Sequence, residues 1–152
     1  MLSSEIVGEG EGFCDCPSEY EWLSGALAGL QVKRRREDWV WRSFLRRIVD
    51  MIEDAGVGSP VFPSPDCKDM SALEVLGGFV SVAGAIVHDG LEIVSPESGD
   101  LRGLLDAVGV SFRSREDVVI VSPDSLVTLV NLSSIRGPLA EEIANKAGDV
   151  DD

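Results

Sequence analysis

Lysine, glutamine, histidine and cysteine are all scarce in this 152-residue chain: three lysines, one glutamine, one histidine (His88) and three cysteines. Three cysteines (Cys14, Cys16, Cys67) cannot all pair within one chain, which argues against a disulfide framework. The C-x-C spacing of Cys14 and Cys16 is tighter than the usual C-x2-C of zinc sites. Cys67 and His88 fall in different expected elements, so no metal site and no cofactor is expected. Long apolar runs are missing too. The longest, Val75 to Val87, is well short of the roughly 20 residues of a membrane span. The first residues, MLSSEIVGEGEGF, are acidic and glycine-rich, without the basic and apolar regions of a signal peptide. A cytoplasmic protein without a membrane partner is expected. Nucleophile elbows, phosphate loops and dinucleotide fingerprints are absent as well, and GEGEG at 8–12 has neither a strand before it nor a helix directly after it.

What the chain has in excess is negative charge. Its net charge is −14, and arginine outnumbers lysine ten to three. Such a balance opposes nucleic acid, because phosphates repel carboxylates. It also suits high intracellular salt, where screening shortens the reach of net charge to a few ångströms and local charge decides.

One segment reverses the sign. Between Gln31 and Arg47 lie Lys33, Arg34, Arg35, Arg36, Arg42, Arg46 and Arg47 against Glu37 and Asp38, a local +5. LQVKRRR and DWVWRS read as two strands, the second alternating around Trp39 and Trp41. Guanidinium groups beside tryptophans suit phosphate contact and base stacking. Two readings stay open: Lys33, Arg34, Arg35, Arg36, Trp39, Trp41 and Arg42 contact nucleic acid, or the tryptophans are a buried sheet face and the arginines pair with carboxylates of the chain or of a protein partner.

The order of elements repeats. SEYE at 18–21 and SALE at 71–74 are capping boxes 53 residues apart, each opening an apolar run. The first helix is expected over about 19–28. Leu23 and Leu76, Gly25 and Gly78, Gly56 and Gly109, and Val57 and Val110 share the same offset. SFLRRIVDMIEDAGVG is an amphipathic helix with Phe44, Ile48, Met51 and Ile52 on one face, stopped at Gly56. SPVFPSPD is a proline-broken edge strand or loop. In the second half, GAIVH and LEIVSP form a hairpin, SGDLRGLLDAVGV a helix that places Leu101, Leu104 and Leu105 opposite Ile48, Met51 and Ile52, and SFRSR with DVVIVSPD a second hairpin. SLVTLVNL and PLAEEIANKAG follow as helices. The expectation is an α+β chain of two αββαβ(β)-type repeats, 18–70 (shortened) and 71–146. A flexible arm, 1–17, precedes them and an acidic tail, 147–152, follows. Small residues Ser24, Gly25 and Ala28 on one first helix, and Gly77, Gly78 and Ser81 on the other, provide a seam where the repeats pack closely.

LGGFVSVAG at 76–84, followed by an expected α-β-β-α-β-β-α order, resembles the LAGLIDADG homing endonucleases and maturases. That resemblance implies two such helices at the seam of a dimer or pseudo-dimer, and antiparallel strands forming a saddle over nucleic acid. It implies a monomeric pseudo-dimer here, or a homodimer through Gly77, Gly78 and Ser81 if the second repeat stands alone. The family's metal-binding acid falls at Ala83 in this sequence and at Leu30 in the first repeat, and the other motif aspartate falls at Ser81 and Ala28. A hard cation needs oxygen ligands that these residues lack. The resulting expectation is a non-catalytic nucleic-acid-binding protein, with DNA or RNA as partner. The alternative is a protein-interaction or structural subunit that has lost nucleic-acid binding.

Overall fold

Ser71 opens the helix that organises the chain. Its hydroxyl accepts from the Glu74 amide at 3.3 Å, satisfying one of the free donors of the first turn. In a computed structural model that describes residues 15–32, 38–65, 71–95 and 100–151 (side chains within 20–145), this helix is α3, Ala72–Ala83. It is preceded by α1 (Asp15–Val32) and α2 (Trp39–Ala55). After it come β1 (Gly84–Val87), β2 (Gly90–Val94), α4 (Leu101–Ala107), β3 (Phe112–Arg115), β4 (Val118–Val121), α5 (Leu126–Leu132) and α6 (Pro138–Asp151). The four strands form one antiparallel sheet in the order β1-β2-β4-β3. The fold is therefore α+β, and the order expected from Ser71 onward is observed.

The first half differs from expectation. It is built of two helices, and among the described residues it contributes no strand. Hence neither a first αββαβ repeat nor a two-sheet saddle is present among them. Gln31 and Val32 end α1, residues 33–37 lie outside the described residues, and DWVWRS starts α2. The reason is local. Asp38 is an N-cap whose carboxylate accepts from the Val40 amide at 2.8 Å. From Trp41 onward the buried positions, Phe44, Leu45, Ile48 and Ile52, follow the helical period. The two-residue tryptophan alternation is too short to outweigh that run. Residues 57–65 are irregular, with prolines 60, 63 and 65, as the loop alternative had it. Helix α1 begins before Ser18, so the SEYE box lies inside the helix and does not cap it. Met51 sits at the exposed margin of α2, outside its buried face.

Helices α1 and α3 approach until backbone meets backbone. A Cβ on Gly25 would overlap the Val75 carbonyl, and one on Gly78 would overlap the Trp22 carbonyl. Further along, Gly29 lies against Phe79 and Val82, so the two helices run in the same direction. Adding 53 to one contact gives the other: Gly25 maps to Gly78 and Trp22 to Val75. Gly29 and Val82 are themselves a pair at that offset. The relation continues at the ends of α2 and α4. Gly56 and Gly109 have φ of 73° and 81°, Gly56 N–H donates to Glu53 and Gly109 N–H to Asp106. Val57 N–H donates to Ile52 and Val110 N–H to Leu105, closing both helices alike.

The first glycine of α3 has a different neighbour. A Cβ on Gly77 would strike the backbone of Ser134, in the segment between α5 and α6. Ser81 also faces that segment: its hydroxyl donates to Gly77 O at 2.7 Å and accepts from Arg136 N–H at 2.9 Å. Thus Gly25 and Gly78 form the helix crossing, whereas Gly77 and Ser81 receive the 133–137 segment. Trp22 fixes the segment further, donating its indole N–H to Ser134 O at 2.6 Å beneath the Arg136 guanidinium, 4.6 Å from the ring centre. Ser24 donates to Tyr20 O within α1, and Ala28 is fully buried. Gly77, Gly78 and Ser81 are all buried within the one chain.

The sheet closes the core from one side. Leu91, Ile93, Val119 and Val121 point inward and join Trp22, Leu76, Phe79, Leu101 and Leu105 in one apolar cluster. No helix among the described residues is long and apolar enough to cross a membrane.

Helix propensity alone says that alanine at Gly25 or Gly78 stabilises by up to about 1 kcal/mol. The crossing reverses the sign: Gly25→Ala and Gly78→Ala are each expected to destabilise by about 1–3 kcal/mol through overpacking. Gly58→Ala, with open space at its Cβ, is expected to change stability by less than about 0.5 kcal/mol. Urea denaturation of the three variants measures this.

Candidate functional site

The start of α2 separates the two tryptophans that a strand would have placed together. On a helix, residues two apart point to nearly opposite sides. Trp41 is 4% exposed, meets Phe44 edge-on at 6.0 Å between ring centres, and donates its indole N–H to Glu142 at 3.3 Å. Trp39 is 75% exposed. Of the pair, Trp41 belongs to the core and only Trp39 presents an aromatic face to solvent.

Arg42, Arg46 and Arg47 are exposed on the same helix. None of the three is in an ion pair with a carboxylate among the described residues. Lys33, Arg34, Arg35 and Arg36 lie outside the described residues, in the link from α1 to α2. Trp39, Val40, Ser43, Phe44, Arg47, Pro138 and Glu141 surround a recess of about 210 Å³ where the first turns of α2 and α6 meet. Pro138 and Glu141 were not legible as site residues, because their position depends on α6 returning to α2 across ninety residues of sequence. A second hollow, between α5 and α6, is lined by Val127, Val130, Ile143 and other apolar or neutral residues and carries no charged group.

The outer face of the sheet carries two arginines, Arg113 and Arg115. Its outer rows, read from the strand register, hold Ala85, Glu92, Ile120 and Arg113, then Val94, Val118 and Arg115, with Val87 at the margin, and Ile120 among them is buried. Most of these are aliphatic. Of its two arginines, Arg113 donates to Asp89 in the β1–β2 turn, and this guanidinium holds the Asp89 carboxyl below its ordinary range. His88, beside it, is an exposed turn residue.

Nor do the seam residues fit a divalent metal. Ala83 and Ala28 are buried hydrocarbon, Leu30 packs against the core, and the Ser81 hydroxyl is committed to Gly77 and Arg136. Cys14 and Cys67 lie outside the described residues, as does the side chain of Cys16.

No protein-family model matches the chain, and neither a curated protein nor a solved structure matches it. What the site does chemically therefore rests on its own groups: an open indole, three unpaired guanidinium groups, and a recess with a hydroxyl and a carboxylate at its rim.

The different exposure of the tryptophans gives a direct check. Trp39→Phe is expected to remove most acrylamide-quenchable fluorescence and leave the melting temperature unchanged. Trp41→Ala is expected to destabilise by about 3–5 kcal/mol, as for a buried aromatic.

Proposed function

We propose that the protein binds nucleic acid, without cleaving it, through the first half of α2 and the arginine run that precedes it. The observation that carries this reading is Trp39, three-quarters exposed beside the unpaired Arg42, Arg46 and Arg47. Guanidinium groups neutralise phosphates, and an exposed indole stacks on bases whatever their sequence. The footprint moves from a saddle of strands to a helix and its leading segment, and includes Lys33, Arg34, Arg35, Arg36, Trp39 and Arg42. Trp41 is no part of it. The absence of cleavage is argued from Ser81, Ala83, Ala28 and Leu30, which supply no carboxylate at the seam.

The scaffold reads as an internal duplication, similar in its second half to the LAGLIDADG fold and strongly diverged in its first. The shared 53-residue offset of the helix crossings and of the two helix ends supports this. The duplication places both seam helices in one chain, so the protein acts as a monomer, expected as a single monomeric species in sedimentation. The aqueous compartment proposed is the cytoplasm.

Binding to short DNA and RNA strands is expected to weaken steeply with salt. The triple variant Arg42→Ala, Arg46→Ala, Arg47→Ala should lower the slope of log affinity against log salt by about 2, at ~0.7 per phosphate contact for single strands. No binding at low salt, or a slope that the variant leaves unchanged, sinks this reading. The arginines would then belong to an acidic protein partner, sought by co-purification.

A further inference from the structure

The recess between the first turns of α2 and α6 bears on which nucleic acid is bound. We infer that it receives one unstacked guanine base of a single strand. This rests on the nucleic-acid reading and narrows its ligand.

Size comes first. About 210 Å³ is below the roughly 300–1,000 Å³ of pockets that enclose whole small-molecule ligands, and suits one planar ring system. The aromatic wall is next. Trp39 is 75% exposed, so a base can cover its face without displacing protein. Stacking on an aromatic residue of this kind is worth about tenfold or more in affinity per base.

The rim then selects the base. Arg47 brings donors, Ser43 a hydroxyl and Glu141 a carboxylate, and no ion pair joins Arg47 to Glu141 among the described residues. A carboxylate within a phosphate-binding surface repels the backbone, so it discriminates against strands that give it no donors. Guanine alone places two adjacent donors, N1–H and the N2 amine, where both oxygens of one carboxylate can accept. Its O6 and N7 accept from an arginine. Adenine and cytosine each offer one amine there, beside an acceptor that faces the carboxylate. In a duplex the N1 and N2 donors are already paired with cytosine. The site is therefore specific for a single strand, where bases are free to leave the stack.

The test uses the full chain, fluorescence anisotropy at one low salt concentration, and labelled thymidine 12-mers carrying one central guanine, adenine or inosine, with uridine strands and a duplex alongside. Inosine keeps N1–H and lacks the N2 amine. Guanine is expected to bind about tenfold tighter than adenine, with inosine between them. Glu141→Ala should abolish that order while strengthening binding to the plain thymidine strand, because a negative charge is lost. Trp39→Ala should weaken every single strand about tenfold and leave duplex binding unchanged. Both side chains are exposed, and matching melting curves confirm that the variants fold. Equal binding of the three strands by the natural chain, or a guanine preference that survives Glu141→Ala, overturns the inference and leaves the arginine footprint standing. Failure to bind any strand overturns the nucleic-acid reading along with it.

Discussion

Two backbone crossings, Gly25 against the Val75 carbonyl and Gly78 against the Trp22 carbonyl, set the geometry on which the rest of the molecule depends. With no side chain between them, α1 and α3 come close enough that neither admits a Cβ at the contact. Each glycine carries a helix-propensity penalty of about 1 kcal/mol, and close packing over the whole crossing offsets it. Once the crossing is fixed, Trp22 is buried with its indole N–H aimed at Ser134, and Gly77 leaves room for that same segment. The 133–137 segment is thereby anchored on the seam, and α6, which follows it, comes back over α2. The recess beside Trp39 exists because of that return.

The two halves share their helix crossing and their helix ends yet differ in what lies between. In the second half, a glycine-bearing turn after β1 allows a hairpin, and the sheet grows to four strands. In the first, Asp38 caps a helix at the position that the 53-residue offset places in β2. A capping carboxylate and five helically spaced apolar residues, Trp41, Phe44, Leu45, Ile48 and Ile52, account for the helix at this place in the first half. The consequence is a difference in exposure. A strand would have put Trp39 and Trp41 on one face, whereas the helix commits Trp41 to the core and leaves Trp39 outside with the arginines.

A net charge of −14 and a nucleic-acid reading are compatible because charge acts locally. At physiological ionic strength the Debye length is about 8 Å, so carboxylates on remote helices contribute little at α2. Unpaired guanidinium groups on an exposed helix remain attractive to phosphate.

Short-range patterns determined much of this protein. The Ser71 cap, the glycine stops at 56 and 109, the two hairpins of the second half, the inward Leu101, Leu104 and Leu105, and the small-residue seam are all legible, because each depends on neighbours within a few positions. The partners of that seam were not. Whether Gly77 faces another helix or a loop depends on a segment almost sixty residues away. Whether Trp39 and Trp41 share a face depended on a choice between periods 2 and 3.6 that two residues cannot make. The site divides in the same way. Its charge and its indole are written in residues 33–47, but its walls at Pro138 and Glu141 come from a helix that only tertiary packing brings back to α2.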